Sequence, residues 1–105
     1  MKIAIVGYGR MGQVVEKHAL ERGDEIVAII DPTQNTKKED LLGKDFDVII
    51  EFCIPQVALE NLTFYAEHDY KVVMATTGWW EHMDAVKGMF EKSDGAILWS
   101  GNFSL

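Results

Sequence analysis

One cysteine, Cys53, stands in 105 residues, so no disulfide can form within the chain. A disulfide-stapled scaffold is excluded, and a reducing, cytoplasmic setting is the expectation. Basic residues are scarce: ten lysines and arginines face seventeen aspartates and glutamates, a net charge of −7. No basic stripe can be drawn, which argues against nucleic acid or an anionic membrane surface as partner. Nor is there a long apolar run. The runs present fall far short of the roughly 20 residues a spanning helix needs. Lys2 is followed by only four apolar residues before the first glycine, which does not match a signal peptide. Repeats, low-complexity tracts and linkers are missing too. The three histidines, His18, His68 and His82, fall on three different predicted helices with no ligand spacing, so no metal site is expected.

What is present is ordinary for one small α/β domain. Hydrophobic residues make up 48% and charged residues 26%, and a chain near this length hides roughly two-thirds of its unfolded surface. We read residues 1–105 as a single domain.

The organising stretch is at the start. Lys2-Ile-Ala-Ile-Val6 is a short apolar run, and Gly7-Tyr8-Gly9-Arg10-Met11-Gly12 follows with G-x-G-x-x-G spacing. Met11, Val14, Val15, His18 and Ala19 then recur at helical steps, which places them on the packing side of a first helix ending near Arg22-Gly23. Strand, tight turn and helix in this order form the dinucleotide fingerprint. Gly7 allows the sharp turn, Gly9 lets a pyrophosphate approach the backbone, and Gly12 brings helix against strand. The unpaired N–H groups at the helix start face the phosphates. A second run, Glu25-Ile-Val-Ala-Ile-Ile30, ends in Asp31, where such folds place the acid that accepts hydrogen bonds from the adenosine ribose. Asp31-Pro32 also suits a turn, and both roles can hold together. A carboxylate there opposes a 2′-phosphate: at ~4 Å and an effective dielectric near 20, like charges repel by about 4 kcal/mol. NAD is therefore favoured over NADP, with Arg10 near the pyrophosphate turn and Lys37 and Lys38 on a following loop as cations able to soften the preference.

Further along, residues 33–44 read as a polar loop with one helical turn near 39–42, tied down by Leu41 and Leu42. The second strand is apolar on both faces, the mark of a parallel sheet buried between helices, and residues 47–53 form a third strand. Pro55 opens a helix whose buried stripe is Val57, Ala58, Leu59, Leu62, Tyr65 and Ala66. Residues 71–75 are a fourth strand, and Thr76-Thr77-Gly78 a turn. Residues 79–92 are a helix with Met83, Val86, Met89 and Phe90 inward, and residues 96–99 a fifth strand. Trp79-Trp80 reads either as one packed and one wet ring or as an exposed pair awaiting a partner. Cys53, at a strand end with no base beside it in sequence, reads as an inert buried thiol. The alternation predicts a Rossmann-like, doubly wound parallel sheet. We expect strand order 3-2-1-4-5, with ligands in a crevice at the reversal between strands one and four.

Together, Gly7-Tyr-Gly-Arg-Met-Gly12, Asp47-Val-Ile-Ile-Glu-Phe52, Ala75-Thr-Thr-Gly78 and Asn102-Phe-Ser104 resemble the N-terminal part of the 4-hydroxy-tetrahydrodipicolinate reductase (dihydrodipicolinate reductase) family. The resemblance runs over essentially the whole chain. It implies an NADH- or NADPH-dependent reductase of a cyclic dicarboxylate imine in lysine and diaminopimelate biosynthesis. It implies that Gly7, Tyr8, Gly9, Arg10, Met11 and Gly12 hold the pyrophosphate and that Asp31 takes the adenosine ribose. Phe52 would line the cleft, and Ala75, Thr76 and Thr77 would form the nicotinamide-side turn. Ser100, Gly101, Asn102 and Phe103 would close over the nicotinamide. Three positions depart from the family pattern. Ala75 stands where a glycine is common, Cys53 where a hydroxyl residue is common, and Pro32 where some members carry arginine. The family's second domain, with its His-His-x-x-Lys segment, has no counterpart in these residues. On that basis this chain carries no catalytic residue and is inactive alone. It lacks its substrate domain as partner and is exposed to self-association. A stand-alone NAD(P) sensor module and the front half of a homoserine- or aspartate-dehydrogenase-like enzyme are the competing readings.

Overall fold

The computed structural model describes residues 1–52, 54–75 and 79–99. Among the described residues five parallel strands form one sheet: β1 (Lys2–Val6), β2 (Glu25–Ile30), β3 (Val48–Glu51), β4 (Lys71–Met74) and β5 (Ala96–Trp99). Three helices lie among the same residues, one in each connection but β2–β3: α1 (Arg10–Glu21), α2 (Pro55–Glu67) and α3 (Met83–Glu91). Short 3-10 turns occupy Pro32–Gln34, Lys38–Leu41 and Trp80–His82. The expected doubly wound α/β fold is present.

The strand order is not the expected one. It runs β2-β1-β3-β4-β5, so β3 pairs with β1 rather than lying beyond β2. The reason lies in residues 31–47. They hold two 3-10 turns and no helix long enough to carry a strand past the β2 edge. The segment instead returns across the sheet, buries Leu41 in the core, and delivers β3 to the free side of β1. The reversal, and with it the crevice, therefore falls between β1 and β3. β2 becomes an edge strand with only Ile30 buried, not a strand sandwiched between helices.

The two faces are unequally covered. Ala4, Val6, Ile49, Val72 and Met74 meet Leu41, Ala58, Leu62 and Tyr65 of the link and α2, and Val86 and Phe90 of α3, in one large core. On the other face α1 packs over Ile3 and Ile5 through Ala19. One aligned row, Ile29–Ile5–Ile50–Val73–Leu98, crosses all five strands there. Its cover runs out along the row: Ile5 is 0% exposed and Leu98 65%.

The stripe read for α1 needs correction. Ala19 is buried as expected, and so is Gly12, read as bringing helix against strand, but Met11, Val14 and His18 face solvent. Small residues make the contact because the helix sits too close to the sheet for large ones. In α2 the expected Ala58, Leu62, Tyr65 and Ala66 are buried, joined by Asn61.

Candidate functional site

The site is built by strand ends. Gly7, directly after β1, has φ +93°, a left-handed conformation that disfavours any side chain. Its N–H donates to the Ile30 carbonyl at 2.8 Å, fixing the turn to the end of β2. A β-carbon on Gly12 would lie 2.6 Å from the Gly7 carbonyl oxygen, so only glycine lets α1 start this close to the strand. Gly9 is different. Its φ of −83° suits any residue, and a β-carbon there would meet nothing within 4 Å. Neither backbone strain nor packing explains a glycine at this position.

Around this turn opens a cleft of about 670 Å³ lined by Gly7, Gly9, Arg10, Met11, Gly12, Pro32, Thr33, Phe52, Ile54, Val57 and Ala75. These residues lie just beyond the carboxyl ends of β1, β2, β3 and β4, in the turns there and in the first turns of α1 and α2. The backbone holds the ends in register: Phe52 N–H donates to the Val6 carbonyl at 2.7 Å, and Ala75 N–H to the Glu51 carbonyl at 3.0 Å. The walls are largely apolar, and the amides of the α1 start supply the polar element.

Asp31 stands at the cleft margin beside its lining neighbours Pro32 and Thr33. One carboxylate oxygen, Oδ1, accepts from the Thr33 N–H at 3.0 Å and the Thr33 hydroxyl at 2.7 Å, capping the turn that follows. Oδ2 makes no hydrogen bond among the described residues, so the side chain caps its turn and still presents an acceptor. Tyr8 points elsewhere. Its hydroxyl donates to the Glu16 carboxylate on α1, a bond that, with partial burial, raises the phenol above its ordinary value. Tyr8 therefore offers the cleft margin its backbone.

Residues 1–103 match the sequence profile of the family described as dihydrodipicolinate reductase, N-terminus. The chain belongs to this family. It is 37% identical over 105 residues to the 4-hydroxy-tetrahydrodipicolinate reductase of Christiangramia forsetii, a match covering all of this chain and 43% of that protein. The chain thus spans under half the length of that relative. Among solved structures, a WlbA dehydrogenase from Chromobacterium violaceum in complex with NADH and UDP-GlcNAcA superposes with a TM-score of 0.79 at 15% identity. That match covers 95% of this chain and 34% of the other. A hyperthermophilic archaeal homoserine dehydrogenase in complex with NADPH gives a TM-score of 0.67 at 12% identity, over 93% of this chain and 43% of the other. At such identities these two matches establish the shared fold.

Of the residues the dihydrodipicolinate reductase resemblance singled out, Gly7, Gly9, Arg10, Met11, Gly12, Phe52 and Ala75 converge on the one cleft. Thr76, Thr77, Ser100, Gly101, Asn102 and Phe103 lie outside the described residues, as does Cys53. Ile54 lines the cleft within the β3 end where ligands are expected, and Pro32, Thr33 and Val57 line it without having been singled out. Lys38 does not reach over the cleft. Its ammonium pairs with Glu60 of α2 at 3.1 Å and with Glu39 at 3.4 Å, and it lies over the Phe64 ring. His18, set on the packing side by its spacing, is exposed near Glu21. No group of three His, Cys, Asp or Glu side chains able to hold a metal occurs among the described residues. No helix among them is long and apolar enough to cross a membrane. Trp79 is fully buried and Trp80 is 39% exposed, the packed-and-wet arrangement.

Proposed function

We propose that residues 1–105 are the nucleotide-binding domain of an NAD(P)H-dependent reductase acting on a cyclic dicarboxylate imine, 4-hydroxy-tetrahydrodipicolinate reductase. Its substrate-binding groups would come from the additional length that the relatives possess. The observation that carries this reading is Gly9: a glycine needed by neither conformation nor packing, at the open mouth of a cleft where helix amides converge. The protein leaves that space vacant, and an approaching diphosphate accounts for it.

In this reading the amides of residues 9–12 take the pyrophosphate, with Arg10 beside it. Asp31 Oδ2 accepts from the adenosine ribose, and Pro32 and Thr33 border the adenosine end. Phe52, Val57 and Ala75 flank the nicotinamide half, together with Thr76, Thr77, Ser100, Gly101, Asn102 and Phe103. The bound cofactor supplies a hydride for the imine, and this domain orients it. The free Asp31 oxygen favours NADH over NADPH. The chain alone binds reduced cofactor weakly and does not turn over. A cytoplasmic location fits a soluble cofactor and a biosynthetic reaction.

A fluorescence titration with NADH and then NADPH, on the wild type and on Gly9→Ser, tests the reading. Saturable binding by the wild type that is lost in the variant supports it. No binding of either coenzyme at millimolar levels overturns it, and measurable imine reduction by the chain alone overturns the division of labour.

A further inference from the structure

Beneath the cleft lies a charged residue that the proposed chemistry does not use. Glu51 is the last residue of β3 and is 0% exposed. Both carboxylate oxygens accept hydrogen bonds from α2: Oε1 from the Tyr65 hydroxyl at 2.7 Å, and Oε2 from the Asn61 side-chain amide at 2.8 Å. Burying a carboxylate in a core is costly, and apolar residues would fill the same volume without that cost.

Its place in the chain suggests what the cost secures. Phe52, the next residue, is a wall of the cleft, and the Glu51 carbonyl accepts the N–H of Ala75, a second wall. Val57, a third wall, sits on α2 at helical spacing with Asn61 and Tyr65, four residues apart in turn. One residue therefore ties the end of β3 to the end of β4 through its backbone carbonyl and to the middle and last turns of α2 through its carboxylate, and these three elements bound the side of the cleft away from Asp31. Packing alone would allow α2 to slide along the sheet. Two directional hydrogen bonds to one buried carboxylate fix its position.

We propose that Glu51, gripped by Asn61 and Tyr65, is a positioning residue that sets the width of the cleft where the nicotinamide ring enters. This rests on the dinucleotide reading above. The adenosine and diphosphate portion is held by other elements, the glycine turn and the end of β2. Loosening the clamp should penalise the ring and spare the rest.

The test compares NADH with ADP-ribose, which lacks only the nicotinamide, on the 105-residue chain. Tyr65→Phe removes one donor and adds nothing. Asn61→Asp sets two carboxylates face to face, and Glu51→Gln combined with it restores an amide–carboxylate pair with the roles exchanged. Each variant is first checked as folded by circular dichroism. We expect Tyr65→Phe and Asn61→Asp to weaken NADH by about tenfold and ADP-ribose by less than about twofold, and the exchange pair to recover most of the NADH loss. If Asn61→Asp does not fold, Tyr65→Phe carries the comparison alone. Equal losses for the two ligands, or no loss of NADH, overturn the inference. Wild-type chain that binds neither ligand overturns the dinucleotide reading itself, and the inference falls with it.

Discussion

A β-carbon built on Gly12 would stand 2.6 Å from the carbonyl oxygen of Gly7, whereas one built on Gly9, three residues earlier, would touch nothing. Two glycines of one motif therefore fail in opposite ways. Gly12→Ala forces α1 off the strand and should cost about 1–3 kcal/mol, the usual penalty of overpacking. For a domain of this size each kcal/mol lowers the unfolding midpoint by roughly 4–8 °C. Gly9→Ser places a good capping residue at the first helix boundary and should leave stability within about 0.5 kcal/mol. Its hydroxymethyl group enters the space reserved for the diphosphate, so NADH affinity should fall by at least about tenfold, or 1.4 kcal/mol. Thermal unfolding and an NADH titration on both variants check the pair. If Gly9→Ser proves the less stable and the better binder, the division of roles is wrong.

Asp31 combines two tasks that a single substitution separates. Asp31→Asn keeps an oxygen to cap Thr33 but removes the charge, so the midpoint should barely move. Without the carboxylate a 2′-phosphate is no longer repelled. The affinity of NADPH relative to NADH should rise by about tenfold at low salt, and by less as ionic strength screens the contact. A ratio unchanged between wild type and variant would place the adenosine ribose elsewhere.

Much of this was legible in the sequence because it is local. The opening turn is written in consecutive residues: an apolar strand, glycines at fixed spacing, then a helix. Its geometry follows from backbone conformation and close approach, which residue types report directly. The strand order was not legible. It depends on where residues 31–47 carry the chain, and nothing within β3 says which side of β1 it will join. The face of α1 was misread for a related reason. Apolar spacing put Met11 and Val14 inward beside Ala19, yet the contact is made by Ala19 and Gly12, because proximity to the sheet selects small side chains over greasy ones. Glu51 gave no signal at all. Its partners Asn61 and Tyr65 lie ten and fourteen residues away, and only the docking of α2 brings them to it.

Lys38 ties the β2–β3 link to α2, and its contribution has a defined pH window. Burial of its stem pulls the ammonium down, but the pairs with Glu60 and Glu39 outweigh that and hold it above its ordinary value near 10.5. A group raised on folding stabilises fully below its unfolded value and loses that contribution as pH climbs through the folded one. The difference in urea stability between wild type and Lys38→Met should therefore be flat from neutral pH to about 9 and shrink above about 10.5. The difference form removes tyrosine titration common to both proteins. A gap that widens in alkali would show that the ammonium is not the stabilising form.

The row Ile29–Ile5–Ile50–Val73–Leu98 offers a stricter test of how the two faces differ. All five side chains are large and apolar, lie on one face and align across neighbouring strands, so intrinsic propensity does not distinguish the two that matter here. Cover does. Ile5 lies under α1 at 0% exposure, and Leu98 is 65% exposed. Ile5→Ala should cost about 2–5 kcal/mol, since it leaves a cavity between helix and sheet. Leu98→Lys should change stability by no more than about 0.5 kcal/mol, because its side chain gives up little burial and lysine suits an edge strand. If copies of this chain associate through the bare end of the row, the same Leu98→Lys should lower the sedimentation coefficient at high concentration and leave it unchanged at low concentration. Denaturant titration of both variants settles the first half: equal losses would mean that Leu98 is buried in solution against something that persists in dilute protein.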